Sequence, residues 1–145
     1  MTPDPYQTWQ LAESVDVLAT DGSSVKPLGE LPGAASMARF ELAAGAVSRA
    51  VSHATVQEIW HVVGGSGQLW RRQGEREEIT PLRVGTTVSI PLGTTFQFRA
   101  DQPGSAEGAA ALVILAATVP AWPGTETEAR LEVGRWQAEN HDEDR

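Results

Sequence analysis

Apolar and polar residues alternate in short runs along most of this chain. Thr95–Arg99 places Phe96 and Phe98 on one side and Thr95, Gln97 and Arg99 on the other, the two-residue period of a strand. In Glu58–Val63, one side carries Glu58, Trp60 and Val62, the other Ile59, His61 and Val63. Both sides are largely apolar, which predicts a strand covered on each face, as between two packed sheets. Comparable strand segments are Val15–Ala19, Ala35–Leu42, Val47–His53, Gln68–Arg72, Glu78–Arg83 and Thr87–Ile90. Glycine and proline turns separate them, among them Asp21-Gly22, Pro32-Gly33, Gly64-Gly65-Ser66-Gly67, Gly85, Pro91-Leu92-Gly93 and Pro103-Gly104. The apolar run Ala109–Val119 fits a buried helix or a strand by period alone; Val113-Ile114 and the following Pro120 favour a central strand. Short strands punctuated in this way predict an all-β sandwich or barrel, and no helical pattern intervenes to build parallel βαβ units.

The 145 residues suit one domain. Its expected divisions are an N-terminal arm (1–14) with Tyr6, Trp9 and Leu11, a barrel (15–122), and a C-terminal segment with an acidic tail (123–145). Trp136 is expected to pin a short element of that segment to the barrel, while residues 139–145, with His141, are expected to be solvated. Nineteen acidic against eleven basic residues give a net charge of −8. A nucleic-acid partner is therefore not expected, since phosphate neutralisation needs a basic face. The longest apolar run falls short of the roughly 20 residues of a membrane-spanning helix. The first residues show no secretory pattern, and a cytoplasmic location is expected. With no cysteine there are no disulfides and no thiolate metal sites.

Two motifs carry the chemistry. Gly45 is followed by five residues, then Val51-Ser52-His53, four residues, Glu58, six residues and Gly65. Gly85 is followed by five residues, then Pro91-Leu92-Gly93, two residues, Phe96, three residues and Ala100. Both spacings resemble the paired motifs of the cupin superfamily. The resemblance implies a cupin-type β-barrel, or double-stranded jelly roll, and a homodimer to which the arm contributes. In that family the positions of Val51, His53, Glu58 and Phe96 bind a divalent metal. Here two of the four are hydrocarbon, so no cofactor is expected and any metal held by His53 and Glu58 would bind weakly. His61 lies an odd number of residues from Glu58, which puts it on the opposite face of the strand.

Three readings of His53 and Glu58 remain open. They form a buried hydrogen-bonded pair, or a polar spot in an otherwise apolar pocket, or a catalytic acid–base pair that shares a proton near neutrality. The expected ligand pocket comprises Val51, His53, Glu58, Trp60, Phe96 and Phe98, with Thr55, Gln57 and Arg49 near its mouth. The leading expectation is a small-molecule-binding protein with an incomplete metal site. The alternative is an enzyme using His53 and Glu58, either a metal-dependent dioxygenase or isomerase, or a metal-free isomerase, lyase or epimerase.

Overall fold

The computed structural model describes residues 3–102, 110–125 and 127–139. Among these lie eleven strands: β1 Val17–Leu18, β2 Ser24–Leu31, β3 Ala35–Leu42, β4 Val51–His53, β5 Gln57–Gly64, β6 Ser66–Gln73, β7 Arg76–Arg83, β8 Thr87–Ile90, β9 Thr95–Ala100, β10 Leu112–Val119 and β11 Ala129–Leu131. They form two antiparallel sheets. One has six strands in the order β1-β2-β3-β10-β5-β8, the other five in the order β11-β4-β9-β6-β7. Among the described residues no helix is long and apolar enough to cross a membrane.

Alternation decides what lies between the sheets. Phe40, Trp60, Val62, Leu69, Phe96, Phe98, Leu112 and Ile114 are buried there, each an even step from the other members of this core on its strand. Phe40, Trp60, Phe96 and Phe98 meet edge-on, with ring centroids 4.9–6.0 Å apart. In that geometry the positive edge of one ring faces the negative face of the next.

Three expectations change. The outer face of β5 is not covered: Ile59 is 57% and Val63 41% exposed, and His61 is exposed beside them. Val47–His53 is not one strand, because the Ser48 hydroxyl takes the Phe98 N–H at 3.0 Å where a backbone carbonyl would continue the ladder. Regular pairing resumes only at Val51, opposite Phe96. Strand β2 was not among the expected strands, and it contains Pro27 and Gly29. They coincide with a register shift against β3, beyond the two residues that pair with β1, so the absent proline N–H breaks no ladder. Of the run Ala109–Val119, residue 109 lies outside the described residues, and the strand begins at Leu112.

The C-terminal segment crosses the outer side of the five-stranded sheet. β11 pairs with β4, Glu139 bridges to Val47, and the Arg99 guanidinium stands 4.1 Å over the Trp136 ring. His141 and the acidic tail beyond it lie outside the described residues.

Candidate functional site

β4 and β5 belong to different sheets, so the chain passes from one sheet to the other between His53 and Glu58 and the two side chains face each other. His53 Nδ1 is 3.1 Å from Glu58 Oε1, and both side chains are less than a tenth exposed. The nitrogen and oxygen are close without being aligned: Nδ1 is buried and makes no hydrogen bond. An unpaired polar atom at this depth costs about 1–3 kcal/mol. The other Glu58 oxygen accepts the Trp60 indole N–H at 3.3 Å.

Burial dominates the electrostatics of the pair. It pushes the Glu58 carboxyl up to about 8, against the Trp60 hydrogen bond and reinforced by the negative charges of Asp21 and Glu128. It pushes the His53 imidazole down to about 4, against the charge of Glu128. Near neutral pH the pair is thus a protonated carboxylic acid beside a neutral imidazole, because isolated charges are poorly tolerated away from water.

Around this pair the expected pocket residues divide. Val51 is buried opposite Phe96 in the β4–β9 ladder. Phe96 meets the His53 ring edge-on at 5.3 Å. Trp60 touches Glu58, and Phe98 packs deeper against Phe40 and Trp60. Gln57 accepts the Leu92 N–H at 3.3 Å, and Thr55 is held by Glu128. Arg49 is exposed and reaches the Thr20 carbonyl. His61 bonds to Thr87 at 2.7 Å on the outer face, away from the pair.

Four residues complete the site without having been anticipated. Trp122 covers the His53 ring at 5.2 Å and is 40% exposed. Its backbone N–H donates to Ser36 Oγ at 2.9 Å, and the Ser36 hydroxyl also meets that of Thr118. Thr118 is opposite both Ser36 and Glu58 in the β3–β10–β5 ladders, so three polar side chains share one level of the sheet. Parity with Phe40 and Ile114 could have placed Ser36 and Thr118 inside. Trp122 and Glu128 follow β10 in irregular chain, where no period operates.

The donor set does not fit the metal that the fold family implies. His53 and Glu58 supply two ligands, Val51 and Phe96 supply none, and among the described residues no three histidines or carboxylates gather. Catalytic zinc takes three protein ligands and a facial iron site two histidines and a carboxylate.

No protein-family model and no curated protein matches the sequence. Solved structures do. Streptomyces PAC13 with uridine superposes with a TM-score of 0.67 at 15% identity, covering 89% of this chain and 92% of that one. A second structure of Pac13, described as a nucleoside dehydratase, gives 0.66 at 13%, covering 97% and 98%. KdgF from Halomonas sp. gives 0.66 at 18%, covering 82% and 97%. The capsular polysaccharide assembling protein CapF from Staphylococcus aureus gives 0.63 at 19%, covering 83% of this chain but 32% of that one. At such identities the likeness speaks for architecture: the chain has the all-β, cupin-type jelly-roll fold.

Proposed function

We propose that the protein binds a small, uncharged molecule at the mouth between its two sheets, with His53 and Glu58 as the polar anchors and Trp122 as the cover. The observation that carries this is the buried His53 Nδ1, close to Glu58 but unbonded. A ligand hydroxyl or amide that approaches both atoms from one side would satisfy both groups, and the hydroxyls of Ser36 and Thr118 stand on the same level. Apolar walls with a few convergent polar groups are the usual composition of small-molecule sites.

The same pair favours a second reading, metal-independent proton transfer. An acid and a base are both present in their reactive forms at neutral pH. In a dehydration, the imidazole would take the proton from carbon and Glu58 would protonate the departing hydroxyl. A carbon–carbon double bond forms and water leaves. The imidazolium then returns its proton to the Glu58 carboxylate across the 3.1 Å gap, which restores the starting state. A nucleoside dehydratase shares this fold, which is why dehydration is the example taken.

Ligand-observed NMR with a panel of neutral nucleosides and hexoses tests the site. At least one compound is expected to bind the wild type and to lose on the order of tenfold or more in affinity with His53→Ala. Absence of binding across the panel, or equal binding to the variant, refutes the proposal. Added zinc, manganese or nickel is expected neither to be retained nor to improve binding. Metal retained one to one and lost on His53→Ala would overturn the metal-independent reading.

A second copy of the chain is the proposed partner. Met37 on β3 and Ile59 on β5 flank Ala117 of β10 in register, and with Val63 and Val119 they form an apolar stripe on the six-stranded sheet. The Arg39–Glu41 ion pair on β3 lets two such faces meet about a twofold axis with opposite charges apposed. Light scattering is expected to give twice the chain mass, falling to the chain mass with Ile59→Arg. A wild-type monomer at tens of micromolar contradicts this.

A further inference from the structure

Residue Glu128 is charged, almost fully buried and distant in sequence from the motifs, and it binds the turn between His53 and Glu58. Its carboxylate accepts the Thr55 N–H at 2.9 Å, the Val56 N–H at 3.2 Å and the Thr55 hydroxyl. Its backbone carbonyl accepts the Ala54 N–H at 2.8 Å. Every N–H of the turn Ala54–Val56 therefore ends on this single residue. That turn is all that separates His53, at the end of β4, from the first residues of β5 and Glu58. The next residue, Ala129, pairs directly with His53 in the β11–β4 ladder. Burial works against ionisation of Glu128, yet the hydrogen bonds from Thr55 and Val56 outweigh it and hold its carboxyl below the ordinary range. Charge-assisted bonds of this kind are roughly twice as strong as neutral ones.

Glu128 is delivered by a segment that is itself latched. The buried Gln97 amide donates to the Ser48 and Trp136 carbonyls, both at 2.8 Å, and accepts the Trp136 N–H at 2.9 Å. The segment approaches so closely that a Cβ on Gly134 would lie 2.4 Å from Gln97 Oε1 and 2.7 Å from the Ala50 Cβ. Nothing larger than glycine fits there without displacing the strap.

We infer that Glu128 is a positioning residue for the His53–Glu58 pair: by bonding the whole Ala54–Val56 turn, it sets the separation and mutual orientation of the imidazole and the carboxyl. This rests on the site proposed above for its purpose, but its geometry can be tested without a ligand. The C-terminal strap is then part of the functional site, and its docking on the five-stranded sheet is a condition for the site's shape.

The test is 15N NMR of the histidine rings at pH 7 in the wild type, Glu128→Gln and Thr55→Val, with thermal unfolding measured alongside. Glutamine can keep its carbonyl oxygen on the Thr55 and Val56 N–H groups, but it carries no charge and turns an NH2 toward the Thr55 hydroxyl, so all three bonds to the turn weaken. Thr55→Val removes only the hydroxyl bond at an exposed residue and keeps the fold safe. The His53 ring nitrogens are expected to move away from the pattern of one neutral tautomer in Glu128→Gln, and less far in Thr55→Val, while those of His61 stay in place. A merely structural role would lower the melting temperature and leave the His53 signature of the folded protein unchanged; that result overturns the inference. Should Glu128→Gln not fold, an unmoved His53 in Thr55→Val overturns it equally. A His53 response in a protein that binds none of the panel supports the positioning role while removing the functional reading.

Discussion

Glu58→Gln is expected to withstand more urea than the wild type at pH 7 to 8 and to lose the function of the site. In the unfolded chain the carboxyl ionises near its ordinary 4.5, whereas in the folded protein burial keeps the proton on until about pH 8. Between those values the folded state binds more protons, so stability falls as pH rises. His53 acts in the opposite direction. Its unfolded imidazole takes a proton below 6.5 and the buried one only near 4, so stability falls as pH drops through that range. Where the ranges overlap, between about 4.5 and 6.5, the two slopes cancel and the pair contributes a plateau. Above the plateau only the Glu58 limb remains.

Glutamine has the same shape, donates a hydrogen bond as the protonated acid does, and has no proton to lose. The gain at pH 7 is on the order of 3 kcal/mol, a large part of the stability of a small domain. Urea midpoints across pH 6 to 8.5 measure it: the wild-type curve is expected to fall and the variant's to stay level. Parallel curves would mean that Glu58 is ionised in the folded protein, and the neutral pair would be abandoned. A residue retained at such a cost to stability is characteristic of functional sites.

How far the sequence exposed this site depends on where each residue sits. Glu58 and Trp60 lie in a strand, where a two-residue period fixes which way a side chain points, and the same rule separates His61 from them. Phe96 and Phe98 were placed inside on the same grounds. Ser36 and Thr118 were within reach of that rule, but a hydroxyl in an otherwise apolar run carries no chemical signal until the sheets align them with Glu58. The exposed outer face of β5 shows the limit of composition: Ile59 and Val63 have the character of covered residues, and whether anything covers them depends on a partner. Glu128 and Trp122 were beyond any local pattern. They come from irregular chain and gain meaning only through hydrogen bonds and ring contacts to residues far away in sequence. Gln97 read as the solvent side of its strand, and the strap then buried it.

The motif glycines offer a test that is independent of the chemistry. Gly65→Ala is expected to destabilise the fold severely, and Gly85→Ala mildly, although both are anchors of the same two motifs. At Gly65 the chain leaves β5 in one sheet and enters β6 in the other, with φ at +68°. A Cβ there would lie 2.2 Å from the Ala111 carbonyl oxygen and 2.9 Å from the Leu112 Cα. Those atoms are backbone at the entry to the buried strand β10, so they cannot turn aside as a side chain would. The left-handed conformation costs about 1–2 kcal/mol and the overpacking about 1–3 kcal/mol or more, enough together to threaten a domain of ordinary stability. Gly85 also has a positive φ, +96°, but a Cβ there meets nothing within 4 Å, so only the conformational cost of about 1–2 kcal/mol applies. Urea midpoints of the two variants should separate accordingly, and equal losses would show that the corner at Gly65 relaxes. The contrast explains how this chain keeps the motif spacing while Val51 and Phe96 stand at ligand positions. The turns are demanded by backbone geometry at the sheet corners, a constraint that acts whatever side chains occupy positions 51 and 96.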